Sequence, residues 1–84
     1  GLINQISPAG EALAQAKALA AKIAENGPLA VKRSKQVIKE SIDWSQDDMF
    51  DKQQAITNAV FSSEDAIEGA TAFAEKRKPN WKGR

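Results

Sequence analysis

Apolar residues change their spacing several times along this chain, and each change marks a boundary. Leu2, Ile3 and Ile6 form a short apolar run closed by Pro8, a pattern that suits a brief strand or an extended lead. From Glu11 to Glu25 the spacing becomes helical. Leu13, Ala16, Ala20 and Ile23, with Leu19 beside them, recur every three or four residues, while Lys17, Lys22 and Glu25 fall elsewhere. Asn26-Gly27-Pro28 then stops the first helix. Gly27 is available for a left-handed cap, and Pro28 suits the first turn of the next helix.

A second helix is predicted from Pro28 to about Asp43. Ala30, Ser34, Val37, Ile38, Ser41 and Ile42 give it a narrow apolar stripe, and Lys32, Arg33, Lys35 and Lys39 make its other side basic. Ser45-x-x-Asp48 resembles a capping box, with Trp44 and Met49 placed as a hydrophobic staple. A third helix should therefore begin near Gln46 and carry Met49, Phe50, Ile56, Ala59 and Val60. Ser62-x-x-Asp65 repeats the device and predicts a fourth helix running to about Lys78, with Ala66, Ile67, Ala70, Phe73 and Ala74 inward. Gly69 costs that helix about 1 kcal/mol relative to Ala, a cost usually accepted where another backbone comes close. Pro79 prevents continuation. The expected fold class is all-α, a short extended lead followed by four helices.

Composition adds that such a layout has little to hold it together. Of 35 apolar residues in the 84, 15 are Ala, which favours helix but supplies little side-chain area. A chain of this length buries only about 60–65% of its unfolded surface. The helices should therefore want another surface to lie on.

Several chemistries are excluded outright. With no Cys there is no disulfide, thiol nucleophile or thiolate metal site, and with no His the commonest general base and metal ligand are gone. A net charge of +1 exerts no general pull on nucleic acid. No apolar run approaches the ~20 residues that span a bilayer. Together with the missing cysteines, this predicts a cytoplasmic protein without membrane or metal partners. The chain opens on Gly1 rather than Met, as a fragment or a processed piece would.

Two acidic clusters, Asp47, Asp48 and Asp51, and Glu64, Asp65 and Glu68, contain paired carboxylates. Both lie at predicted helix starts, where the helix dipole attracts acids, and neither has the spacing of a calcium loop. Ser34, Ser41, Ser45, Ser62 and Ser63 lack a nucleophile motif and read as caps and packing residues. The tail is the remaining candidate. Lys76, Arg77, Lys78, Lys82 and Arg84 put five cations into nine residues with no acid among them, and Trp81 lies between them. Phe73 precedes Lys76 by three residues, so on a continuous helix the two share a face. A flat aromatic beside a cation suits a nucleotide base and its phosphate. The plain alternative is a solvated basic helix end that complements the dipole, with Trp81 against the body.

The run Glu68-Gly69, Ala72-Phe73, Glu75-Lys76-Arg77, Pro79 and Trp81 resembles the E-G-x-x-A-F-x-E-K-R-x-P-x-W/F ending of the enoyl-CoA hydratase/isomerase (crotonase) family. Gly1-Leu2-Ile3-Asn4-Gln5-Ile6 is similar to the family's GLV-x-x-V segment, and Pro28, Ala30, Val31 and Lys35 to its P-x-A-V…K helix opening. The resemblance covers essentially the whole chain. It implies that residues 1–9 lead in from a catalytic core and that residues 10–84 form the C-terminal helical oligomerisation region, used for trimers or dimers of trimers. The family hydrates 2-enoyl-CoA thioesters, or isomerises or hydrolyses related ones, in fatty-acid-type metabolism, with two glutamates and two backbone N–H groups that lie upstream of the GLI position. The resemblance therefore implies no catalytic residue in this stretch and no cofactor beyond the acyl-CoA substrate. It does imply CoA contacts for Phe73 and Lys76, which correspond to the Phe and Lys of the A-F-x-E-K motif.

The leading reading is the C-terminal helical part of an enoyl-CoA hydratase/isomerase, catalytically incompetent alone, serving trimer assembly and part of the CoA site. A second is a free-standing helical interaction module with no small-molecule site, to be told apart by the sequence upstream of Gly1. A third, nucleic-acid binding through the basic tail, is opposed by the near-zero net charge and the acidic helix starts.

Overall fold

The computed structural model describes all residues, Gly1–Arg84. It is all-helical, with α1 at Ala12–Ala24, α2 at Pro28–Glu40, a 3-10 turn at Ser41–Asp43, α3 at Met49–Phe61 and α4 at Glu64–Ala74. The all-α expectation of four helices holds. The lead forms no strand.

Local chemistry explains each end. Pro28 occupies the start of α2, as its fixed φ allows. Gly27, expected to cap α1 in the left-handed region, instead has φ −56° and ψ 124°. The end of α1 is satisfied by Asn26, whose Nδ2 donates to the carbonyls of Lys22 and Ile23 at 3.1 and 3.2 Å. The α2–α3 corner is made by the 3-10 turn and by Trp44 in extended conformation.

Two cap assignments move by a few residues. Ser45 Oγ donates to Asp48 Oδ1 at 2.6 Å instead of accepting a backbone N–H, so no capping box forms and α3 begins at Met49 rather than Gln46. Lys52 Nζ pairs with the same Asp48 at 2.6 Å; together these contacts hold its carboxyl below the ordinary value of 3.8. Before α4 the cap is Ser63, not Ser62: Ser63 Oγ accepts from the Ala66 N–H at 3.0 Å, while Ser62 Oγ donates back to the Asn58 carbonyl. That one-residue shift leaves Asp65 in the first turn and free to do something else.

The helices lie in one open layer. The radius of gyration is 16.3 Å and the extents are 45 × 39 × 18 Å, whereas a compact chain of this length has a radius near 12 Å by size scaling. α2 packs mainly on α3, and α3 less extensively on α4. Ala72 is the only buried apolar side chain, while Leu2, Ile6, Ile42, Phe50, Phe61 and Phe73 are each at least 70% exposed. The Ala-rich faces do not close on one another, as their small side-chain area predicts.

Candidate functional site

The end of α4 and the tail beyond it carry the most organised polar structure in the molecule. α4 stops at Ala74, not near Lys78. Lys76 takes φ 54°, the left-handed region that L-residues with side chains rarely adopt. Its N–H donates to the Phe73 carbonyl at 3.3 Å, and the Arg77 N–H donates to the Ala72 carbonyl at 3.0 Å. This is a Schellman ending with lysine where glycine is usual. Pro79 disfavours helix only from Lys78 onward, so it is this turn, and not the proline, that ends α4 at Ala74.

From that turn the tail runs back along α4. Glu68 meets it first: its carboxylate accepts two bonds from the Arg77 guanidinium, at 2.6 and 3.0 Å, and one from the Asn80 N–H at 2.7 Å. The guanidinium, and then the Asn80 amide, hold the Glu68 carboxyl down to about 2 from its ordinary 4.5. Arg77 Nε also donates to Glu75 Oε2 at 2.6 Å, and its charge is held by both acids. One turn earlier on α4, the buried Asp65 carboxylate accepts from the Lys82 N–H at 2.7 Å and the Gly83 N–H at 2.9 Å. Its own N–H donates to the Arg84 carbonyl at 2.9 Å. Glu64 pairs with Arg84 at 3.2 Å and Lys82 at 3.4 Å, which lower its carboxyl, Arg84 more strongly.

Trp81 fastens the tail to the junction of α1 and α2. Its Nε1 donates to the Glu25 carbonyl at the end of α1, at 2.9 Å. Its ring lies over two glycines. A Cβ added at Gly69 would stand 3.1 Å from Cη2 and 3.3 Å from Cζ3, and one at Gly27 would stand 3.6 Å from the same ring. The neighbour that Gly69 admits is thus an indole rather than another backbone. Beside Trp81 opens a shallow groove of about 620 Å³ lined by Ile23, Pro28, Val31, Lys32 and Lys35 among others.

This arrangement sorts the tail's five cations. Arg77, Lys82 and Arg84 are committed to Glu68, Glu75 and Glu64; Lys76 and Lys78 have no ion-pair partner. The expected pair, Phe73 and Lys76, is adjacent but does not share a helix face, because Lys76 lies beyond the helix in the left-handed turn. Phe73 is 88% exposed. The anchoring roles of Asp65 and Glu68 were not visible in the sequence, where both read as helix-start charges. Most of their partners are main-chain N–H groups, which no residue type announces. No grouping of three or more acidic side chains is arranged to hold a metal ion, and no helix is long and apolar enough to cross a membrane.

The chain is similar to known proteins along its full length. A family model described as enoyl-CoA hydratase/isomerase matches residues 1–84. The chain is 44% identical over 84 residues to enoyl-CoA hydratase EchA19 of Mycobacterium tuberculosis, covering all of this chain and 32% of that protein. It is 38% identical over 88 residues to a carnitinyl-CoA dehydratase of Proteus mirabilis, covering 34% of it. A crystal structure of enoyl-CoA hydratase from Mycobacterium tuberculosis H37Rv superposes with a TM-score of 0.97 at 54% identity, over all of this chain and 33% of that one. The chain thus spans about one third of the length of the relatives it matches. Full-length agreement in sequence and in backbone path makes this chain a member of the enoyl-CoA hydratase/isomerase family.

Proposed function

We propose that this stretch is the C-terminal helical part of an enzyme that hydrates 2-enoyl-CoA thioesters, and that it serves trimer assembly and one end of the CoA site. The observation that carries the CoA role is at the end of α4. Phe73 is exposed, and Lys76 is a cation without a partner, held in a backbone conformation that costs a lysine about 1 kcal/mol. The exposed Leu, Ile and Phe side chains of an open layer support the assembly role, since each gains by being covered.

In this reading the reacting double bond lies far from the tail, and the proton transfers belong to carboxylates outside this stretch. Phe73 offers a face for the adenine, and Lys76 a compact charge for the 3′-phosphate. Both contacts are the same in the ground and transition states, so they lower KM without raising kcat. The substrate is the acyl-CoA itself, and the reaction needs no further cofactor.

The test uses the full-length enzyme with an acyl-CoA and with the matching pantetheine thioester, which lacks the nucleotide. Loss of a partly exposed cation–phosphate contact is worth about 1 kcal/mol, so Lys76→Ala should weaken acyl-CoA binding about fivefold and leave turnover at saturation nearly intact. The pantetheine thioester should show no effect. Lys76→Gly relieves the turn while removing the same charge, and should lose the same affinity. Equal loss of turnover with both substrates would refute the CoA role and favour a structural one in assembly.

A further inference from the structure

Lys76 has little of its own to hold it. Its side chain has no ion-pair partner, it stands outside α4, and its backbone occupies a conformation that glycine prefers. Yet the residues on both sides of it are fixed. Before it, the helix ends at Ala74. After it, the Arg77 N–H is tied to the Ala72 carbonyl, and the Arg77 guanidinium is gripped by Glu68. The same Glu68 carboxylate holds the Asn80 N–H, so one side chain pins the chain on either side of Lys78-Pro79. Glu68 lies two turns back on α4, with its side chain only 24% exposed.

We propose that Glu68, acting through Arg77, is a positioning residue for the nucleotide end of the CoA site: it fixes the left-handed turn that presents Lys76. The inference rests on the reading of Lys76 as a CoA contact. Glu68 touches no substrate in this scheme, because its oxygens are occupied by Arg77 and Asn80. A carboxylate is needed because it accepts both guanidinium N–H groups and a main-chain N–H together. A neutral amide has one acceptor oxygen and would turn its own N–H groups towards donors. When the fork is lost, the two backbone bonds of the turn remain. The turn then forms with more freedom, and Lys76 must be ordered by the ligand at binding, which costs affinity.

The experiment is a double-mutant cycle in the full-length enzyme, read as KM and kcat with an acyl-CoA and with its pantetheine thioester. Glu68→Gln should raise KM for the acyl-CoA about twofold to fivefold, no more than Lys76→Ala does, with kcat unchanged. It should leave the pantetheine thioester unaffected. In the Lys76→Ala background, Glu68→Gln should add nothing, because the group it positions is gone. Arg77→Lys keeps the charge but not the fork, and should give the same pattern. If Lys76→Ala itself leaves acyl-CoA binding unchanged, the CoA reading fails. If Lys76→Ala weakens binding and Glu68→Gln does not, or acts equally on both substrates, or acts additively with Lys76→Ala, the positioning role fails while the CoA reading stands.

Discussion

Gly69→Ala tests how firmly the tail is seated. Gly69 is at the centre of α4, where replacing Gly by Ala ordinarily stabilises a helix by about 1 kcal/mol. Here the new methyl would stand 3.1 and 3.3 Å from Cη2 and Cζ3 of Trp81, so the ring would have to yield by a few tenths of an ångström. The ring has little freedom to do so. Its Nε1 is bonded to the Glu25 carbonyl, and its chain neighbours Asn80 and Lys82 are held through their N–H groups by Glu68 and Asp65. Overpacking of a fixed group costs about 1–3 kcal/mol, which exceeds the helix gain, so Gly69→Ala should destabilise by about 1 kcal/mol. Trp81→Phe removes the outer ring atoms that clash. In that background the same substitution should stabilise by about 1 kcal/mol, giving a coupling of about 2 kcal/mol. Urea unfolding of the full-length protein and its three variants measures the cycle. Full recovery of the helix gain with Trp81 present would show that the indole is loosely seated, and the account of Gly69 would be wrong.

The cap shift at α4 predicts that Ser63→Ala loses about 1 kcal/mol by thermal unfolding while Ser62→Ala changes little, and equal losses would contradict the assignment. The Glu68 carboxyl lies lower in the folded chain, at about 2, than its ordinary 4.5, so its contribution to holding the tail is present above pH 4.5 and is lost as pH falls from there through about 2. The protection of the Asn80 amide, its exchange rate relative to that of an unstructured amide at the same pH, should fall across that window in the full-length protein, and unchanged protection would show that Glu68 does not hold the tail.

Helix content was legible from three- and four-residue apolar spacing, and the stop at Asn26-Gly27-Pro28 from its residue types, because helix period and proline geometry are properties of the local chain. The E-G-x-x-A-F-x-E-K-R-x-P-x-W run also carried the family. Element ends were less legible. Ser62 and Ser63 are both good caps, and tertiary context chose Ser63; Ser45 could cap or donate to Asp48, and it donates. The roles of Gly27, Gly69, Asp65 and Glu68 were out of reach, since each depends on where a tail nine or more residues away returns. Sequence spacing reports which side chains share a face. It does not report which main-chain N–H groups a carboxylate will meet, and in this molecule those bonds, with one indole laid over two glycines, decide the path of the last eight residues.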